Sequence, residues 1–342
     1  MKTHLNTLFV TTDGAYLCKD GQAVAVRIKK ETRLRVPLHN LDGIVCFGRV
    51  GVSPQLMGEC ASQGVSISFL SSTGRFHAAV VGFSPGNVIL RRQQYRLADD
   101  AVKSALAARC IILGKLANCR TLLLRAARET DEPVRADRLR KIADRLNANQ
   151  IDVRTATTVE RLRGLEGEAA ASYFEAFNDL MIDVAGFTYT RRSRRPPLDP
   201  LNALLSFVYA LLSHDARSAC EGAGLDAAVG YLHEDRPGRP GMALDLMEEF
   251  RPCLADRLVF SLINRRQVHA RDFEKVETGA VRMSDSTRKT VLVAYQERKQ
   301  EVVTHPFLGE KMTFGQLLHI QARLMSRWIR GDLDAYPPYV WK

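Results

Sequence analysis

Ser84-Pro85-Gly86-Asn87 separates two stretches of opposite periodicity, and the fold follows from what lies on either side of it. Proline fixes φ and lacks a donor, while glycine and asparagine accept left-handed backbone, so neither strand nor helix readily runs through such a tetrapeptide. Upstream, the runs 7–11, 15–18, 23–28, 33–37, 43–46, 65–70 and 75–81 are β-rich and separated by turn formers. Asp13-Gly14 and Asp20-Gly21 carry hairpin signals. Val24, Val26 and Ile28 alternate with Ala25, Arg27 and Lys29, the pattern of a half-buried strand. One helical insert is expected, with Ser53 as N-cap, Pro54 at the first helical position and Gly64 closing the end.

Downstream, nearly everything to Arg330 reads as helix. Apolar residues recur at three- and four-residue spacing over 106–127, 134–147, 158–182, 201–220, 242–262, 286–299 and 314–329. The expected fold class is therefore α+β: a small N-terminal β-sheet domain over 1–85, then a larger all-α domain over 86–342. The connections 191–200 and 233–241 are rich in Pro, Gly and Arg and read as loops placed to carry function. The last residues, Asp334-Ala335-Tyr336-Pro337-Pro338-Tyr339-Val340-Trp341-Lys342, read as irregular, with aromatics suited to docking on a partner.

Composition narrows the function. Forty-six per cent hydrophobic and 25% charged residues over 342 positions describe a globular protein able to bury real cores. Forty-nine Lys and Arg against 38 Asp and Glu leave a formal charge of +11, which favours a polyanion such as nucleic acid over a merely basic surface. The seven cysteines are odd in number and widely spaced, with no C-x-x-C pair, so reduced thiols in a cytoplasmic protein fit better than a disulfide framework or zinc module. Met1-Lys2-Thr3-His4 leads into a strand-like run without a long apolar stretch, so no signal peptide is expected. The longest apolar stretches, near 110–124 and 201–212, fall short of the ~18 continuous apolar residues a membrane span needs. No P-loop, dinucleotide-binding glycine motif or G-x-S-x-G elbow occurs, which removes support for those chemistries.

The chemistry concentrates in two segments. Gly230-Tyr231-Leu232-His233 is followed by the turn Pro237-Gly238-Arg239-Pro240-Gly241 and then by Asp245-Leu246-Met247-Glu248-Glu249-Phe250. If the latter is helical, Asp245, Glu248 and Glu249 share one surface and repel one another unless a cation lies near. A core histidine and a solvated acidic face are the bland alternatives, but the acids stand among Leu244, Leu246, Met247 and Phe250, where unpaired carboxylates are costly. The second segment, Arg163-Gly164-Leu165-Glu166-Gly167-Glu168, sets two glycines inside a helical pattern at about 1 kcal/mol each. Either helix packing or the close approach of a bulky ligand explains that cost. A mixed Glu, His and Glu or Asp set suits Mn²⁺ or Mg²⁺ with coordination positions left open, and a basic protein makes a phosphodiester the natural substrate. Arg91, Arg92 and Arg96 after the boundary, and Arg191, Arg192, Arg194 and Arg195 before Pro196-Pro197, are candidates for backbone phosphates, with solvated linkers as the alternative.

Four blocks then carry a family resemblance by their order and spacing. They are Gly164-Leu165-Glu166-Gly167 with Ala169-Ala170 and Tyr173-Phe174; Pro200-Leu201-Asn202-Ala203-Leu204-Leu205-Ser206-Phe207 with Tyr209; His233; and Asp245-Leu246-Met247-Glu248-Glu249-Phe250-Arg251-Pro252 with Asp256-Arg257. Together they resemble the CRISPR-associated integrase and endonuclease of spacer acquisition, the number-one Cas family, with wording most like its subtype I-C members. The resemblance covers the whole chain and implies a metal-dependent DNA endonuclease and integrase inserting foreign DNA fragments into a CRISPR array by transesterification. It implies a homodimer acting on double-stranded DNA with a small ferredoxin-like partner protein, the β domain serving dimerisation and DNA contact and the helical domain catalysis. Carried over by motif, the metal ligands fall on Glu166, His233 and Glu248, with Asp245 beside the metal and Mn²⁺ or Mg²⁺ as the cofactor. Glu168 and Glu249 rank below their neighbours. A general DNA-repair nuclease using water, and a metal-free nucleic-acid-binding scaffold, are the alternatives.

Overall fold

The computed structural model describes residues 6–71, 76–80, 88–182 and 186–342. Met1-Lys2-Thr3-His4 and Ser84-Pro85-Gly86-Asn87 lie outside them. The chain divides into two compact units, Met1–Pro85 and Gly86–Lys342.

The first unit holds two four-stranded sheets around one core. Strands β1 (Asn6–Val10), β2 (Tyr16–Asp20), β3 (Ala23–Ile28), β4 (Glu31–Pro37), β5 (Leu41–Phe47) and β6 (Gly51–Val52) precede helix α1 (Pro54–Gln63), which is followed by β7 (Ser66–Leu70) and β8 (Phe76–Val80). One sheet runs β1-β5-β7-β8 and the other β4-β3-β2-β6. Asp20-Gly21 does close a hairpin, pairing β2 with β3 antiparallel. Asp13-Gly14 does not, because β1 and β2 belong to different sheets. Its carboxylate instead accepts from Arg49 N and Nε, both at 2.9 Å, fixing the turn between sheets. Strand β3 is more deeply placed than simple alternation predicts: Ala25 is as fully buried as Val24, since a small side chain fits between two layers. Ser53 caps α1 through Leu56 N, and Gly64 ends it at φ +67°, where a β-carbon would be strained.

The second unit is mainly helical: α2 (Val88–Asp99), α3 (Ala101–Glu129), α4 (Pro133–Thr155), α5 (Val159–Glu175), α6 (Phe177–Leu180), α7 (Pro200–Gly222), α8 (Gly241–Glu248), α9 (Arg257–Asn264), α10 (Asp285–Gln300) and α11 (Phe314–Ile329). Helix α3 is its spine, burying Ala107, Ala108, Ile111, Ile112, Leu116 and Leu123 against its neighbours. Three expectations need correction. The stretch 242–262 is not one helix, because Pro252 cannot supply the N–H a regular ladder needs, and a π-helical turn (Arg251–Asp256) separates α8 from α9. Two short hairpins interrupt the helices, β9 (Phe273–Lys275) with β10 (Val281–Met283), and β11 (Val302–Thr304) with β12 (Lys311–Thr313). Helix α2 escapes the periodic pattern because Val88 and Ile89 are exposed while Gln94 is fully buried. The Gln94 amide donates to Asp226 O and Val229 O and accepts from Asp226 N, pinning the loop that leads to His233.

The C-terminal aromatics dock on the chain itself rather than standing free for a partner. Tyr336, Tyr339 and Trp341 are buried. Tyr339 stacks on Phe250 at 5.7 Å, and the Arg125 and Arg257 guanidiniums lie 4.0 and 4.7 Å from the Trp341 ring centre. Glu249 is the anchor, accepting from Tyr336 OH, Tyr339 N and Gln321 Nε2. Burial pushes its carboxyl up to about 8, and the hydrogen bonds from Tyr336, Tyr339 and Gln321 offset only part of that. A raised folded-state value means the native protein binds the extra proton below pH 8, so this contribution to stability is lost as pH rises through it. Burial likewise raises Asp256, to about 6, so most of its effect is spent before Glu249 titrates. Between pH 6 and 8 the wild type should lose roughly 2 kcal/mol of unfolding free energy that Glu249→Gln does not lose. Urea denaturation of both proteins across that window checks this, and parallel curves would contradict it.

All seven cysteines are free thiols. Cys220 and Cys253 are fully buried and burial pushes both thiols up, which leaves no support for a thiol nucleophile there. No helix among the described residues is long and apolar enough to cross a membrane.

Candidate active site

Four separate stretches of the second unit meet at one cleft of about 320 Å³, lined by Arg163, Glu166, Arg194, Leu232, His233, Glu234, Arg236, Arg239, Glu248 and Arg251. Helix α5 supplies Arg163 and Glu166, the loop after α7 supplies His233, and α8 with the π turn supplies Glu248 and Arg251.

Backbone contact sets the loop against α8. Gly241 N and Met242 N, two donors at a helix start that lack intrahelical partners, reach Ala228 O and Ala227 O at 3.0 Å each. Gly230 passes so close that a β-carbon on it would fall 2.7 Å from the Gly241 carbonyl carbon and 2.8 Å from Asp245 Oδ2. Glycine is required there for lack of room. The Asp245 carboxylate, fully buried, then gathers the loop: its oxygens accept from Tyr231 N, Leu232 N and His233 N at 2.6, 2.9 and 3.0 Å. It also accepts from His233 Nδ1 at 2.7 Å. A carboxylate oxygen can only accept, which assigns a ring hydrogen to Nδ1 and turns Nε2 toward the cleft, 3.8 Å from Glu248 Oε1. On the other side Arg163 clamps the loop to α5, donating to Leu232 O at 2.6 Å and Glu234 Oε1 at 2.7 Å.

Glu166, His233 and Glu248 thus share the cleft, with Asp245 behind the histidine. Glu249 does not share the face of Glu248; it points the opposite way, into the C-terminal segment. Glu168 is exposed outside the cleft lining. Of the candidate arginines, Arg194 lines the cleft. Arg192 is tied into the fold, donating to Ser193 O, Asn202 Oδ1 and Ser206 Oγ. Arg191 and Arg195 are exposed beside it, while Arg91 and Arg92 sit on α2 away from the cleft lining. A β-carbon on Gly164 or Gly167 would meet nothing within 4 Å, so helix packing does not explain those glycines.

Two cations to which the sequence assigned no role complete the site. The Lys115 ammonium, reaching in from α3, pairs with Glu166 Oε1 and lies 2.7 Å from Glu248 Oε2. Arg251 Nη1 stands 2.9 Å from Glu248 Oε1. Burial alone would raise the Glu248 carboxyl, but Arg251 first and Lys115 next hold it below the usual carboxylate range. Beneath them the buried Asp256 carboxylate accepts from Tyr209 OH at 2.5 Å and Tyr173 OH at 2.9 Å. Lys115 was hidden because it is one of several polar residues, with Asn118, Arg120 and Thr121, that interrupt the apolar run 110–124, and only its spatial partners give it meaning.

The donor set fits a hard divalent cation. Among the described residues no three His, Cys, Asp or Glu groups already stand at metal-binding distances. Yet Glu166 and Glu248 accept one cation, the ammonium, between them, and Glu248 Oε2 is buried without a well-directed hydrogen bond. The nearby Nε2 supplies a nitrogen donor, and two carboxylates with one imidazole suit Mn²⁺ or Mg²⁺.

A family model described as "CRISPR associated protein Cas1" matches residues 8–297. The chain is 52% identical over 343 residues to "CRISPR-associated endonuclease Cas1 1" of Chlorobaculum tepidum, with both chains covered in full. Its fold resembles a CAS1 protein from Thermotoga maritima at TM-score 0.82 and 22% identity, covering 96% of this chain and 97% of that one. A chain of a complex named "Cas6-RT-Cas1--Cas2" also superimposes at TM-score 0.82 and 25% identity, covering 99% of this chain and 36% of that one.

Proposed function

The chain belongs to the Cas1 family of CRISPR-associated proteins, and from that premise we propose that it is a divalent-metal-dependent DNA endonuclease and integrase. It inserts foreign DNA fragments into a CRISPR array, the 3′-hydroxyl of the incoming strand attacking a phosphodiester at the repeat boundary. The observation that carries this reading is the convergence of Glu166, His233 and Glu248 in one arginine-lined cleft. The endonuclease name of the relative in Chlorobaculum tepidum supports it.

Glu166, His233 and Glu248 would hold Mn²⁺ or Mg²⁺, which when bound would supply Lewis-acid polarisation of the phosphoryl group and charge stabilisation at the leaving oxygen. Asp245 keeps the imidazole in the tautomer that leaves Nε2 as a donor. Arg163, tied to the histidine loop, keeps that loop beside Glu166. Arg194, Arg236 and Arg239 hold backbone phosphates at the rim, and the open space over Gly164 and Gly167 admits the duplex. The working assembly in this proposal is a homodimer formed through the β-sheet unit. It acts in the cytoplasm, as a subtype I-C protein, with a small ferredoxin-like partner; the Cas2 in the name of the similar complex supports a protein partner.

The test is strand joining. Duplex DNA with a free 3′-hydroxyl should be ligated into a repeat-bearing plasmid when Mn²⁺ or Mg²⁺ is supplied, more efficiently with the small partner than without it. Cleavage with no joined product would assign the site to hydrolysis by water instead. Binding of duplex DNA should also weaken steeply with salt, and Arg194→Ala and Arg239→Ala should each reduce the magnitude of the slope of log K against log salt by about 1. Unchanged slopes would remove those two side chains from the DNA path.

A further inference from the structure

We propose that Lys115 is the resident counter-cation of this site and competes with the divalent ion for the gap between Glu166 and Glu248. The inference rests on the metal reading given above and concerns what stands in the gap before the metal. Lys115 lies mid-way along α3 among buried Ile111, Ile112, Leu116 and Cys119, with only 9% of its side chain exposed. Its ammonium does not neutralise one acid; it bridges two, Glu166 from α5 and Glu248 from α8. Arg251 takes the other oxygen of Glu248, so two carboxylates and two cations cancel with no metal present. His233 Nε2 stands 3.8 Å from the other Glu248 oxygen, Oε1, on the side that Arg251 holds.

An ammonium and a divalent ion cannot occupy that gap together, because like charges a few ångströms apart repel strongly where water is scarce. The lysine stem is long enough to withdraw. A small cavity of about 20 Å³, lined by Lys115, Cys119, Tyr173, Tyr209 and Asp256 among others, lies next to the site and holds a carboxylate to receive it. Metal uptake is therefore an exchange of cations. The metal-free site keeps its shape, and metal affinity is held below what three bare ligands would give.

The test uses the full chain as wild type, Lys115→Gln and Lys115→Arg, with Mn²⁺ titrated by calorimetry and by the loss of the free-ion EPR signal. Lys115→Gln should bind Mn²⁺ at least about tenfold more tightly, while Lys115→Arg, which keeps the charge, stays near wild type. With chelator present Lys115→Gln should melt below the wild type, and Mn²⁺ should raise its melting temperature by more than it raises that of the wild type. If Lys115→Gln folds only with metal, it is prepared in Mn²⁺ and the release of the ion to chelator is timed, slower release being expected. Equal or weaker affinity in Lys115→Gln overturns this proposal alone. No Mn²⁺ site in any of the three proteins overturns the metal reading, and this inference with it.

Discussion

Replacing Glu166 with alanine should lower strand joining about 10³-fold while the protein stays folded. Loss of one of three metal ligands removes roughly 4 kcal/mol of transition-state stabilisation, at about 1.4 kcal/mol per factor of ten. The fold tolerates the change because the Glu166 side chain is 26% exposed and Lys115 retains Glu248 as its partner. Glu248 is different. Its side chain is 3% exposed and answers both Lys115 and Arg251, so Glu248→Ala takes the carboxylate from the buried Arg251 and leaves Lys115 with Glu166 alone, at about 3–5 kcal/mol. Loss of activity in Glu248→Ala would therefore confuse chemistry with stability, and Glu166 is the sharper probe. Joining at the wild-type rate by Glu166→Ala, with an unchanged circular dichroism spectrum, would remove Glu166 from the reaction.

Asp245→Ala should be the most disruptive single change to the structure of the site. The carboxylate is the acceptor for three backbone N–H groups and for His233 Nδ1. Each buried donor left unsatisfied costs about 1–3 kcal/mol, so a loss of 3–5 kcal/mol in urea unfolding is expected even if water enters. The imidazole also loses the partner that fixes its tautomer, which should weaken Mn²⁺ binding about 10–100-fold by calorimetry. Asp245→Asn keeps the shape but turns an amide toward N–H donors, and should fall between alanine and wild type in stability. An Asp245→Ala protein as stable as wild type would mean that water replaces the carboxylate fully, and that the loop does not depend on it.

The elements of the fold were legible where local chemistry dominates. Ser53-Pro54 and Gly64 bounded α1 in the sequence because capping and left-handed backbone are decided within a few residues. Helix α11 was read at its observed ends, 314–329, since a strongly amphipathic run has one stable way to bury its stripe. Helix α2 was not legible, because Gln94 holds it in place through hydrogen bonds to a loop more than a hundred residues later. Nor was the turn at Asp13-Gly14, whose pairing depends on which sheet each strand joins.

The site shows the same division. The sequence alone determined that His233 and the acids of α8 belong to one chemical neighbourhood, because a short turn joins them, and family resemblance added Glu166. Only the tertiary structure decided which way each acid points. Asp245 faces the loop backbone, Glu248 the cleft and Glu249 the C-terminal segment, since helical spacing fixes angles about an axis but not what lies across from them. It also decided that Lys115 and Arg251 supply the neutralising charge that the repelling carboxylates required. Such long-range electrostatic pairing depends on distances through space, and those exist only once the chain has folded.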